Sequence, residues 1–119
     1  MSSAFYSIIQ FVPDPDRQEG VNVGVMLLEP STRQFNFILT RPIRRIQCLF
    51  RQMSVVDIVP AHVRFYNRVM AEQFDCLDDL TDFCLKPKGL LRCTEPLYVP
   101  MNSQAFSTVL NDLLHRLVL

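Results

Sequence analysis

Asp14, Asp16, Arg17, Glu19 and Asn22 crowd into one short segment of the chain. Carboxylates gathered near a point can hold a hard cation or exchange protons with a substrate, and an arginine beside them can receive an anionic group. Asp14, Arg17, Glu19 and Asn22 are therefore the candidate catalytic residues of a small hydrolase or nuclease. Their spacing is not that of an EF-hand loop, and no histidine among them suits a transition metal. No metal or other cofactor is assigned. The same residues also suit a solvated hairpin loop, with Arg17 pairing Glu19 while Asp14 and Asp16 shape the turn.

Charge makes the second constellation. From Arg33 to Arg68 there are seven arginines against one acid, Asp57, and from Glu72 to Asp82 five acids without a base, although the formal net charge is zero. Arg41, Arg44, Arg45, Arg51, Arg64 and Arg68 are the candidate partner-binding residues. Helical spacing sets Arg44 and Arg51 opposite Ile46 and Leu49, and Arg64 and Arg68 opposite Tyr66 and Val69. Such a face suits an acidic protein surface or a phosphate backbone. Zero net charge and the acidic stretch oppose indiscriminate polyanion binding, and no aromatic residues interleave with the arginines as a stacking platform. A protein partner is the first expectation and nucleic acid the second. Neutralisation of the arginines by the acids of a neighbouring helix is the alternative.

The remaining motifs are weaker. Gly20-Val21-Asn22-Val23-Gly24 lacks the GxxxxGK[ST] pattern of a phosphate loop. A glycine inside a strand, as at Gly24, marks a bulge, a close helix crossing or a place where a ligand approaches. Cys48, Cys76, Cys84 and Cys93 form no CxxC pair and His62 and His115 are far apart, which argues against zinc bound by close ligand pairs. Scattered cysteines, without an apolar leader, fit buried free thiols in a reducing cytoplasm. His62 reads as a partly buried structural histidine, and His115 as a surface residue near a helix C-terminus. No apolar run is long enough to span a bilayer, so no membrane partner is expected.

These residues need a scaffold. The chain has 119 residues, 49% hydrophobic and 20% charged, which suits one globular domain over 1–119. Period-two patterning predicts strands over 4–12, 21–29 and 35–40, with Val21, Val23, Val25 and Leu27 on one face. Period-3.6 patterning predicts a helix over Ile43–Met53. A second follows a cap at Ser54 and Asp57, with Pro60 in its first turn and a core stripe of Val63, Tyr66, Val69, Met70 and Phe74. Leu77, Leu80, Phe83 and Cys84 suggest a shorter third helix. Leu90–Val99 reads as extended, a fourth strand broken near Pro96. A last helix over Phe106–Leu117 would be capped by Asn102 or Ser103. The expected fold class is α+β: an antiparallel β-meander of three to four strands packed against three to four helices, the helices on one face of the sheet.

Tyr6-Ser7-Ile8-Ile9-Gln10-Phe11-Val12-Pro13, then Arg17 and Glu19, then Val21-Asn22-Val23-Gly24-Val25-Met26-Leu27, resembles the opening signature of the family called domain of unknown function 3037. The extended segment Leu90–Val99 and the helix ending Leu113-Leu114-His115-Arg116-Leu117-Val118 are similar to its C-terminal part. The resemblance implies a bacterial or phage-related cytoplasmic protein and no established activity. Through members encoded beside HipA-like kinases it implies a kinase-like protein as partner. With no catalytic constellation complete in the sequence, a non-enzymatic interaction module, a partner or regulator in such a system, is the leading expectation.

Overall fold

The computed structural model describes residues 3–14, 16, 19–86 and 88–119. Three antiparallel strands open the chain: β1 (Ser3–Phe11), β2 (Val21–Glu29) and β3 (Gln34–Leu39). Helices α1 (Ile43–Leu49), α2 (Val55–Ala71) and α3 (Leu77–Leu85) follow, then the short strands β4 (Leu91–Cys93) and β5 (Leu97–Pro100) and helix α4 (Phe106–Leu117). The fold is α+β, with the sheet ordered β3-β2-β1-β4 and β5 also pairing with β1. Among the described residues, no helix is long and apolar enough to cross a membrane.

The fourth strand is interrupted where Pro96 can give no ladder hydrogen bond. β4 pairs with Ile9–Phe11 and β5 with Ser3–Tyr6, so both lie on the same edge of β1. Thr94 carries the ladder across the gap: its hydroxyl accepts the Ile8 N–H at 2.9 Å and its own N–H donates to the Ile8 carbonyl at 3.0 Å.

The helices cover both faces of the sheet, not one. On the first face Ile9, Phe11, Val21, Val23, Met26 and Leu28 meet Ile46 of α1, Ile58 and Phe65 of α2, and Leu80 and Phe83 of α3. On the second, Ala4, Val25 and Leu27 meet Val109, Leu110, Leu113 and Leu114 of α4. β2 changes phase between them. Ile9 stands opposite Gly24, but the next residue of β1, Gln10, stands opposite Asn22, so Val23 is an extra residue in a β-bulge. Val21 and Val23 thus face the first core while Val25 and Leu27 face the second, against strict alternation. At Gly24, opposite Leu39 of β3, a Cβ would collide with the Ile38 carbonyl oxygen.

Two helix boundaries and the place of one proline differ from those expected. α1 stops at Leu49 instead of running to Met53; Phe50 turns off its end, and its ring lies 6.4 Å from that of Phe11. α2 starts at Val55, with the Ser54 hydroxyl donating to Asp57 at 2.9 Å. Pro60 therefore sits in the second turn, where its missing N–H leaves the Val56 carbonyl without its helical donor. The N-cap of α4 is Ala105; Asn102 and Ser103 have φ of 53° and 62° and build the turn before it.

Candidate functional site

Asp14 and Glu19 line a cleft of about 410 Å³ with Pro13 on one side and residues 48–53 on the other, among them Arg51 and Gln52. The end of α1 and the turn after it form that second wall because Phe50 is drawn toward Phe11. Asp14 also has a local role: its carboxylate accepts the Asp16 N–H at 3.1 Å, the Asx geometry of a turn. Arg17 lies outside the described residues.

Asn22 is not brought to this cleft. Opposite Gln10, its side chain accepts the Gln10 amide at 2.9 Å and donates to the Leu117 carbonyl at 2.9 Å. The amide thereby ties β2 to the end of α4. Of the candidate catalytic residues, Asp14 and Glu19 line one cleft and Asn22 serves a structural bridge.

The arginines divide in the same way. Arg44 and Arg51 line a shallow surface depression with Gln47 and Cys48, and Arg51 also borders the acidic cleft. Arg45 spends its guanidinium on the carbonyls of Val118 (3.1 Å) and Asn22 (2.6 Å). Arg41 is exposed and close enough to His62 to disfavour its protonation. Arg64 and Arg68 are exposed on α2.

α2 departs most from its sequence reading. Ile58, Ala61, His62, Phe65 and Val69 are buried against the sheet and α3. Val63, Tyr66 and Met70, expected in the core, lie on the outside. Val56, Val63, Tyr66 and Met70 are 79%, 39%, 46% and 62% exposed, with the half-buried Val59 between them. Their spacing of three, four, three and four makes a continuous stripe about 21 Å long at 1.5 Å per residue. At its middle the Tyr66 ring lies 5.3 Å from Phe37, carrying the apolar surface onto the edge strand β3. Two apolar stripes on one helix look like a single broad one in sequence, and only the register of the sheet decides which is covered.

His62 is fully buried, stacked on Phe11 at 5.9 Å, with Nδ1 3.0 Å from the Ile58 carbonyl. Burial is the largest influence on it and lowers its pKa, against the raising effect of the Ile58 carbonyl. The sequence suggested a partly buried histidine, and the structure buries it fully.

Two thiols pair without any motif in the sequence to mark them. Cys84, at the end of α3, and Cys93, in β4, line one cavity of about 250 Å³. The only sequence signal is a helix that turns back into a strand between them. Among the described residues, no three His, Cys, Asp or Glu side chains group as metal ligands.

The sheet, its bulge and its flanking helices define a small α+β domain. The family described as protein of unknown function (DUF3037) matches residues 6–83, and the chain belongs to it. The match takes in the strand signature and all three central helices to Phe83, and ends before the C-terminal segment where similarity was also expected. No curated protein and no solved structure matches the chain.

Proposed function

We propose that this domain is a protein-interaction module that receives an amphipathic helix of its partner on the outer stripe of α2. The observation that carries this reading is the exposure of Val56, Val63, Tyr66 and Met70 at helical spacing. Contiguous apolar surface of this kind is costly to leave in water and marks interaction sites. A stripe repeating every three and four residues matches the geometry by which one helix packs along another. α2 carries the exposed Arg64 beside the stripe, so a partner helix with acidic residues beside its apolar positions is the complementary one. A kinase-like protein, implied by the family resemblance, is the first partner to examine.

The test uses purified pairs. A helix peptide of the partner should compete for binding, and Val63→Glu with Met70→Glu should weaken it by at least about tenfold, since each buried side chain contributes about 1.5–3 kcal/mol. Arg64→Glu should weaken it less, and less still at high salt. Binding indifferent to the stripe variants, or self-association of the chain through that stripe, overturns the reading.

A second reading has one observation in its favour: Asp14, Glu19 and Arg51 share the 410 Å³ cleft. It makes the domain a small hydrolase or nuclease acting through those groups. Hydrolysis of phosphodiester or ester substrates, abolished by Glu19→Gln without loss of stability, would establish it in place of the first.

A further inference from the structure

Beneath α3, on the first face of the sheet, four polar groups meet. Cys84 Sγ lies 3.4 Å from Ser7 Oγ, and Ser7 donates to the Thr94 carbonyl at 2.6 Å. Cys93, opposite Ile9 in the sheet, lines the same cavity as Cys84. Lys88 Nζ donates to the carbonyls of Cys84, at 3.1 Å, and of Lys86, and lies 4.9 Å from the centre of the Phe83 ring. The buried ammonium is therefore held in place beside the thiols by backbone and ring. Cys93 is buried and Cys84 half-buried, and both open onto the 250 Å³ cavity with Thr81, Leu85, Glu95 and Pro96.

This asymmetry separates two roles. The hydrogen bond from Cys93 chiefly favours the Cys84 thiolate, with Lys88 adding its charge, and Cys84 falls to about 7. Cys93, donating that bond and more deeply buried, is raised. Ser7 helps little in this arrangement, because its single hydrogen is given to Thr94.

We propose that Cys84 and Cys93 form a dithiol site that reduces small neutral hydroperoxides, Cys84 attacking and Cys93 resolving. The cavity has room for a compact molecule, and Glu95 at its rim repels anionic ones such as disulfides of acidic thiols. The Cys84 thiolate attacks the terminal peroxide oxygen. An S–O bond forms, the O–O bond breaks, and the alkoxide leaves as alcohol with a proton from water. The Cys93 thiol then attacks the sulfenic sulfur. An S–S bond forms, the S–O bond breaks, and hydroxide leaves as water with the Cys93 proton. The two thiols supply the two electrons. Two molecules of a small thiol restore the pair by exchange and leave as their own disulfide. The site stands apart from α2's outer stripe, and the proposal is independent of the docking reading.

The full reduced chain is treated with equimolar hydrogen peroxide. The expected product has lost two hydrogens, and a non-reducing digest yields a peptide joining Cys84 to Cys93. In Cys93→Ser, dimedone should label Cys84 instead. At neutral pH Cys84 should be oxidised before Cys48 and Cys76, its larger thiolate fraction outweighing its lower nucleophilicity. Cys48 and Cys76 are exposed and serve as internal comparisons. Oxidation of either before Cys84, or a disulfide between chains, overturns the proposal. The digest of the unaltered chain decides this even where Cys93→Ser does not fold.

Discussion

The Asn22 amide donates to the carbonyl of Leu117, 95 residues further along the chain, at 2.9 Å. That bond, with Arg45 reaching the Asn22 and Val118 carbonyls, closes the end of α4 onto the start of β2. Asn22→Ala should lower the unfolding free energy by about 1–2 kcal/mol, the cost of leaving Leu117 and Gln10 unpaired. Urea unfolding checks this. Unchanged stability with lost binding would return Asn22 to a functional site.

Gly24→Ala should be worse. The added Cβ meets the Ile38 carbonyl oxygen, and backbone cannot swing aside as a flexible side chain would. Overpacking of this kind costs about 1–3 kcal/mol or more. Gly89→Ala offers a contrast, since its Cβ meets nothing but its φ of 72° disfavours L side chains; about 1–2 kcal/mol is expected there. Thermal denaturation of the two variants ranks them, and a Gly24→Ala protein as stable as the parent would remove the steric account of Gly24.

Leu113→Ala should cost about 2–5 kcal/mol, because Leu113 is fully buried between α4 and the second face of the sheet. Leu49→Ala, on the exposed end of α1, should change stability by less than about 0.5 kcal/mol. Equal losses at the two positions would contradict the two-faced packing.

His62 makes stability depend on pH. Burial, supported by Arg41, holds its pKa below the ordinary imidazole value. The unfolded chain then takes up a proton at a pH where the folded chain does not. Stability present above about pH 6.5 is lost as pH falls through the window below it, and stops falling on this account below the folded pKa. His62→Phe should flatten the slope of melting temperature just below about pH 6.5. A slope unchanged by the substitution would assign the dependence to other groups.

The strands were legible because alternation survives in β3, where Phe35, Phe37 and Leu39 face the first core and Ile38 the second. It failed in β2, where residues 23–29 are all buried and an apolar run carries no sign of a phase change. Gly24 alone hinted at the bulge. α4 was legible in its apolar spacing, but not the face it covers, since a helix stripe says only that something is buried. For the candidate site, the nearness of Asp14 to Glu19 follows from a short loop. The separation of Asn22 does not, because it depends on which side of the sheet a bulged strand presents. Cys84 and Cys93 meet through a fold-back that no local motif records.

The interrupted edge of β1 has a consequence for synthesis. β1 and β2 can pair as soon as both are made, but the other edge of β1 has no partner until Leu91–Pro100 emerges. While the ribosome translates the three central helices, Ser3–Phe11 presents an apolar strand with open backbone donors and acceptors, the template on which nascent chains cross-associate. A chaperone that shields this edge, or slow helix synthesis that prolongs its exposure, should therefore govern the soluble yield more than the stability of the finished fold.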